Sequence, residues 1–232
     1  MLFLQAHRNN LLRYELNGKF LSESHINTAP SDIGYDLAIV DSNTVAVSSG
    51  GNLPHTIYLI DMNSAKTRQD LDIDNFCYGL SYNNGSLVCC TSGEGIKIFD
   101  MSHRNSTNLR ILPNAPIDAS DTYVNSNKKC IFHSNCHDNS VVCYDFSGQV
   151  QWTYSDLLLR KPYGITLDSY SNIYVAGFLS NNVVVISPDG KQAKELIGAS
   201  DGLLNPRAIY FDKTKNLLLV ANCNKFAFLF DV

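Results

Sequence analysis

One strand-like pattern recurs six times along the chain. Each copy is a short apolar segment that ends in small or polar residues, such as VAVSS from Val45 and IYVAG from Ile173. The copies begin at residues 3, 45, 87, 130, 173 and 218, so successive copies are 42 to 45 residues apart. A near-constant period of this length indicates a repeat fold, in which each unit buries its apolar faces against its neighbours.

Three further strand-like segments accompany most copies. We name the recurring segment strand b. Strand a precedes it in five copies, strand c follows it in all six, and strand d follows strand c in five. Four-stranded units of about 43 residues predict an all-β, six-bladed β-propeller. A helical fold is excluded because only residues 156–161 could form a helical turn.

We predict one β-propeller domain over residues 1–232, with blades at about 1–27, 28–73, 74–114, 115–157, 158–199 and 200–232. The sequence starts in a strand b and ends in a strand c, so the first and last blades are predicted to be incomplete. Either the seam is irregular or the sequence is a piece of a longer protein, and we favour the second interpretation because repeat proteins normally end in a closing element.

The composition limits the cellular locations and the classes of binding partner that are expected. The net charge of −4 argues against a dedicated nucleic-acid binder. No apolar run is long enough for a membrane span, and the N-terminal segment lacks the basic region of a signal peptide, so no membrane association is expected. The seven cysteines include no CxxC pair and several lie in apolar runs, which predicts reduced core thiols and a cytoplasmic protein.

A binding site is expected on the loop face, which we define as the d-to-a and b-to-c connections. Loops on a rigid scaffold can vary without harm to the fold. The candidate contact residues are Arg8, Tyr35, His55, Tyr78, His137, Lys161, Tyr163, Phe178, Arg207 and Lys225.

Two groups of candidates have competing interpretations. Tyr35, Tyr78 and Tyr163 each lie at the start of a strand a, where they either recognise a partner or pack the inner wall. Lys161 and Arg207 are either ligands for a carboxylate or phosphate, or solvated charges on the rim.

The one concentrated set of potential metal ligands is His133, Cys136, His137 and Asp138. His133 falls on a strand and Cys136 in the loop beyond it, so their side chains need not converge as a metal requires. We therefore predict a polar loop, with no metal and no cofactor.

The last two copies carry a family resemblance. KPYGITLDSYSNIYVAGFLSNNVVVISPDGK (161–191) and NPRAIYFDKTKNLLLVANCNKFAFLFD (205–231) resemble NHL repeats. The pattern has a proline before the first strand, here Pro162 or Pro206, and an aspartate at its end, here Asp168 or Asp212. The copies at 29–73, 74–114 and 115–154 match it more weakly.

The resemblance implies a function. NHL propellers commonly form the C-terminal, substrate-binding end of tripartite-motif proteins, a ubiquitin-ligase family. The sequence has no zinc-ligand spacing and no heptads, so any ligase chemistry would lie outside this chain. We therefore expect a non-catalytic module that binds a protein partner.

Two alternatives stay open. Some NHL propellers bind single-stranded RNA, and Arg8, Lys161, Arg207 and Lys225 with Tyr163 and Phe178 could supply charge and stacking. Acidic residues in or beside the same loops would repel phosphate: Asp32, Asp36, Asp74, Glu94, Asp118, Asp138 and Asp201. A six-bladed hydrolase or lyase is the second alternative, but the starts of the a strands offer only two carboxylates, Asp36 and Asp118.

Overall fold

The computed structural model describes residues 1–5, 9–26, 34–49, 55–101, 108–112, 122–224 and 226–232. These residues form twenty-two strands and one 3₁₀ turn at Ala199–Asp201. All paired strands are antiparallel neighbours in sequence. The chain divides into two compact units, of which unit 1 contains Met1–Ile111 and unit 2 contains Ala119–Val232.

Unit 1 contains three sheets. The first is three-stranded, and the second and third are four-stranded. Their strands are β1 (Leu2–Gln5), β2 (Asn10–Tyr14) and β3 (Phe20–His25); β4 (Gly34–Asp41), β5 (Thr44–Ser49), β6 (Thr56–Asp61) and β7 (Thr67–Asp72); and β8 (Cys77–Asn83), β9 (Ser86–Thr91), β10 (Gly95–Asp100) and β11 (Asn108–Ile111).

Unit 2 contains two four-stranded sheets and a final three-stranded sheet. Their strands are β12 (Tyr123–Ser126), β13 (Cys130–Asn135), β14 (Ser140–Asp145) and β15 (Val150–Ser155); β16 (Pro162–Leu167), β17 (Ile173–Gly177), β18 (Asn182–Ile186) and β19 (Ala193–Ile197); and β20 (Pro206–Asp212), β21 (Leu217–Asn222) and β22 (Ala227–Asp231).

The six sheets confirm the six predicted blades. The first sheet lacks strand a and the last lacks strand d, as the repeat predicted. One boundary differs from the sequence pattern: β12, strand a of the fourth blade, extends to Ser126, two residues beyond the segment IDASDTYV (117–124) that marks this strand in the sequence. Residues 113–121 lie outside the described part of the chain, and they include the start of that segment and the predicted carboxylate of Asp118.

Apolar residues on both faces of the sheets join neighbouring blades within each unit. In unit 1, Ile57 and Leu59 of β6 share a cluster with Leu87 and Cys89 of β9. In unit 2, Val183 of β18 shares a cluster with β20 and β21 of the next blade. The central strands are therefore buried on both sides, which explains their near-continuous apolar sequences.

Aspartates close the tight turns between strands. Asp168 accepts hydrogen bonds from the backbone N–H groups of Tyr170 and Asn172, both at 2.8 Å. Asp212 accepts from the N–H group and the hydroxyl of Thr214, at 3.0 and 2.6 Å, and the hydroxyl bond holds the pKa of Asp212 below its usual value. The two aspartates of the NHL-like pattern are thus explained by turn structure.

A second repeated device joins successive blades. Asn9, Asn139 and Asn181 each precede a strand c and adopt left-handed backbone conformations, with φ of 51°, 50° and 54°. The side-chain oxygen of each accepts a backbone N–H at the start of strand a in the next blade, at 2.8 Å from Gly34, 2.6 Å from Lys161 and 2.8 Å from Asn205. We call this contact the asparagine clamp.

The clamp gives a testable effect on stability. Asn181→Ala removes the bond to Asn205 and places a β-carbon in the left-handed region, so we expect the free energy of unfolding to fall by about 2 kcal/mol. Asn181→Gly keeps the backbone conformation and loses only the bond, so about half that loss is expected. Denaturant unfolding of both variants measures the difference; equal stability of Asn181→Ala and the parent chain would contradict the clamp.

Candidate functional site

The loop face of unit 2 brings together residues from three blades. Tyr123, Tyr163 and Arg207 lie at the starts of the successive inner strands β12, β16 and β20. The Nε of Arg207 donates to the hydroxyl of Tyr123 at 3.2 Å, and its Cζ lies 5.3 Å from the centroid of the Tyr163 ring. The ring centroids of Tyr123 and Tyr163 are 6.1 Å apart.

A second cation lies against the same aromatic group. The Nζ of Lys161 is 5.6 Å from the ring centroids of both Tyr163 and Phe178, and these two rings meet edge-to-face at 4.9 Å. Tyr163 is buried, with 3 % of its surface exposed, whereas Lys161, Phe178 and Arg207 are half-buried. We call Tyr123, Lys161, Tyr163, Phe178 and Arg207 the cation–aromatic cluster.

Features of the local sequence fix the positions of these side chains. Pro162 and Pro206 begin their strands, where a missing N–H costs nothing. A break in the strand register follows each proline, and such bulges redirect side chains. The backbone oxygen of Tyr163 also accepts the hydroxyl of Ser134 from the preceding blade at 2.6 Å.

Hydrogen bonds also hold the loops around the cluster. The N–H groups of Phe178 and Leu179 donate to the backbone oxygens of Lys161 and Arg160, each at 3.1 Å. The Asn205 side chain donates to the backbone oxygen of Phe178 at 3.0 Å. The backbone oxygen of Asn205 accepts the N–H of Cys223 at 3.1 Å. Four loops of the fifth and sixth blades are thereby linked, so their side chains are preorganised for contact with a partner.

In unit 1 the candidate residues form two separate contacts. Tyr35 and Tyr78 pack edge-to-face with centroids 5.3 Å apart, and the backbone oxygen of Tyr78 accepts the Ser48 hydroxyl at 2.7 Å. His55 is buried against Phe76, with ring centroids 4.5 Å apart. The equivalent bonds of Ser48 and Ser134 show that the tyrosine positions repeat structurally as well as in sequence.

The other candidates fall elsewhere. His137 is exposed in the turn after β13, where its N–H donates to Asn135 at 3.0 Å. Arg8 and Lys225 lie outside the described residues. Sequence reasoning missed Tyr123, although the segment TYVNS resembles the starts of the other a strands.

Exposed apolar side chains were a second feature that the sequence did not reveal. Leu157, Leu179, Leu204 and Phe226 lie in the linked loops of the fifth and sixth blades, with exposed fractions of 90, 49, 51 and 63 %. The turn that displays Leu157 is fixed by Asp156, which accepts the Leu158 N–H at 2.8 Å. We call these four residues the apolar rim.

The described residues contain neither a cluster of metal ligands nor a membrane-spanning helix. Within them, no three His, Cys, Asp or Glu side chains come together to hold a metal ion. His133 is instead buried in β13, where desolvation lowers its pKa from 6.5 to about 4. Among the described helical residues there is no segment of the length and hydropathy needed to cross a bilayer.

Comparison with known proteins defines the fold class. No protein-family model matches the chain, and no curated protein matches its sequence. A catalytically inactive virginiamycin B lyase from Staphylococcus aureus, solved with quinupristin, superposes with a TM-score of 0.69 at 14 % identity, over 100 % of this chain and 76 % of that one. The nidogen/laminin complex gives 0.67 at 15 % identity, over 96 % and 89 % of the two chains.

A protein of unknown function from Bacteroides caccae gives a TM-score of 0.73 at 11 % identity, over 95 % of this chain and 81 % of that one. With six antiparallel blades and these likenesses, the chain has a six-bladed β-propeller fold, as predicted. At such identities the likeness establishes the fold and leaves function to the chemistry of the loops.

Proposed function

We propose that the chain is a non-catalytic recognition module that binds a protein partner through the loop face of unit 2. The observation that supports this proposal is the cation–aromatic cluster on linked loops. Arg207 and Lys161 share the Tyr163 ring, and hydrogen bonds hold the segments that carry them. Tyrosine and arginine are the residue types that dominate binding energy at protein interfaces.

The exposure of these residues supports protein over RNA as the partner. Single-stranded RNA binding relies on aromatic faces on which bases can stack. Tyr163 and Tyr123 are buried, with 3 % and 7 % of their surfaces exposed, and the neighbouring loops expose leucine side chains. The overall negative charge also disfavours phosphate.

A finer proposal follows from the NHL-like pattern. We propose that the chain acts as the substrate-recognition end of a tripartite-motif ubiquitin ligase, with the ligase chemistry outside this chain. The support is that two successive blades carry the same pattern, a proline at the start of strand a and an aspartate at its end: Pro162 and Asp168, then Pro206 and Asp212. We also propose a cytoplasmic location, which the five buried free thiols of Cys77, Cys89, Cys90, Cys136 and Cys143 support.

Site-specific photo-crosslinking tests the proposed function. A photoreactive amino acid replaces Phe178 on the loop face or, as a control, Lys215 in the turn between β20 and β21. We expect a defined protein adduct in cell extract from the Phe178 position only, blocked by excess unlabelled chain. The protein in the adduct is then identified and purified for direct binding.

The direct assay separates the possible outcomes. The purified partner should bind the parent chain and lose at least roughly tenfold in affinity on Arg207→Glu, while Lys215→Glu binds normally. Adducts of equal yield from both positions, or unchanged binding by Arg207→Glu, would overturn the proposal. Binding of a randomised single-stranded RNA pool that weakens steeply with salt would replace protein with RNA as the partner.

A further inference from the structure

The apolar rim and the cations beside it have chemistry that complements a particular kind of partner. Leu157 and Leu179 are exposed on loops that meet where the Leu179 N–H donates to the Arg160 oxygen at 3.1 Å. Leu204 precedes Asn205, whose N–H donates to the Asn181 side chain at 2.8 Å. Hydrogen bonds thus join the loops that carry these exposed apolar side chains, and exposed apolar side chains on neighbouring loops are typical of a binding site.

Positive charge borders this surface. Arg160 is exposed and Lys161 is half-buried against two aromatic rings, and the two residues are consecutive at the end of the loop that carries Leu157. Arg207 lies against the same Tyr163 ring, with its Cζ 5.3 Å from the ring centroid. The loop that displays Leu157 therefore also carries two consecutive cations.

The nearby acids have roles within their own loops. Asp156 accepts the Leu158 N–H at 2.8 Å, and Asp201 accepts the Gly198 N–H at 2.9 Å. These bonds fix the turns that display Leu157 and Leu204. Glu195 accepts a hydrogen bond from the Asn182 side chain at 2.9 Å, and Asn182 also donates to the Leu158 oxygen at 2.9 Å, so this third acid is likewise engaged within the loop scaffold.

We propose that the apolar rim and Arg160–Lys161 bind an acidic peptide segment of a protein partner, in which Asp or Glu residues alternate with large apolar residues. The proposal rests on the proposed function and specifies its ligand. Apolar side chains of the segment pack on Leu157, Leu179 and Leu204, and its carboxylates form charge-assisted hydrogen bonds with the adjacent cations. Prealigned loops reduce the entropic cost of capturing a flexible segment.

Selection from a random peptide library tests this ligand class. The library is displayed and panned on the purified full chain, and enriched peptides are synthesised with a fluorophore for anisotropy titration. We expect enriched sequences in which Asp or Glu lies next to Leu, Phe or Ile. We expect Leu179→Ser and Arg160→Glu each to weaken binding by roughly tenfold or more, with the Arg160→Glu effect shrinking at high salt.

Two control variants match the substitutions in type and exposure. Val150→Ser removes an exposed apolar side chain from β15, and Lys191→Glu reverses an exposed cation in the turn after β18; both should bind as the parent chain does. Circular dichroism verifies that every variant is folded.

The contradicting results are distinct. Enrichment of neutral or basic peptides that still depend on Leu179 would overturn the acidic ligand class and leave protein recognition by this face standing. Peptides insensitive to both Leu179→Ser and Arg160→Glu, or no enrichment at all, would overturn the peptide site, and the crosslinking experiment would then decide the proposed function alone. Arg160-dependent binding of the randomised RNA pool in place of peptides would assign the surface to RNA.

Discussion

Gly164→Ala is expected to lower the free energy of unfolding by about 3 kcal/mol or more. A β-carbon at Gly164 would lie 2.6 Å from the backbone oxygen of Arg207 and 3.0 Å from the backbone nitrogen of Ile209. These are main-chain atoms of β20, so the clash cannot be relieved by rotation of a side chain. The inner strands β16 and β20 would have to separate, and the packing of the two blades would loosen.

Gly198→Ala is the matched control. Its backbone is extended, with φ of −133°, and the added carbon would meet only the end of the Glu195 side chain, 2.7 Å from Oε1. That exposed side chain can move at the cost of at most its bond from Asn182, so we expect a change of about 1 kcal/mol or less. Urea unfolding monitored by the fluorescence of Trp152 gives both values. Equal effects of the two substitutions would show that β16 and β20 do not need their close approach.

The second large effect is a loss of stability in mild acid that depends on His133. His133 pairs with Val124 and Val142 on the flanking strands, its side chain is buried, and its Nε2 has no hydrogen-bond partner among the described residues. Desolvation lowers its pKa from 6.5 to about 4. Between these pH values the unfolded chain binds a proton at His133 and the folded chain does not, so stability falls as the pH falls.

A pKa difference of this size corresponds to about 3 kcal/mol lost between pH 7 and pH 4. His133→Leu has no proton to bind and should flatten this part of the stability profile. The control His137→Leu, in the exposed turn of the same blade, should show the same slope of stability against pH as the parent chain. Chemical denaturation at several pH values measures the slopes; a slope unchanged by His133→Leu would show that the acid response arises elsewhere.

The fold was largely predictable from the sequence because its information is local and repeated. Alternating apolar strands and turn residues such as Asp189-Gly190 specify a blade without reference to the rest of the chain. Where the pattern is weak a boundary was predicted less precisely, as in the fourth blade, whose inner strand β12 extends to Ser126. Its last two residues, Asn125 and Ser126, are both polar, so no apolar alternation marks where the strand ends.

The candidate site was predictable only in part because it depends on contacts between distant segments. Tyr163 was predicted as a site residue because tyrosine recurs at the start of strand a. Lys161 and Arg207 were predicted because of their charge. The bond from Arg207 to Tyr123 joins residues 84 positions apart, and no local pattern encodes it. The clamp by Asn181 was also missed, since an asparagine between strands is equally expected in any turn.

The asparagine clamp has a consequence for how such a surface can change over time. Each clamp attaches a b-to-c connection to the following blade at one fixed residue, such as Asn139 or Asn181. The neighbouring positions Arg160 and Leu179 contribute only backbone atoms to the loop scaffold, so their side chains are not constrained by these bonds. A new specificity can therefore arise by point substitution at the unconstrained positions while the attachment points are inherited unchanged, and an engineer could diversify the same positions in a library.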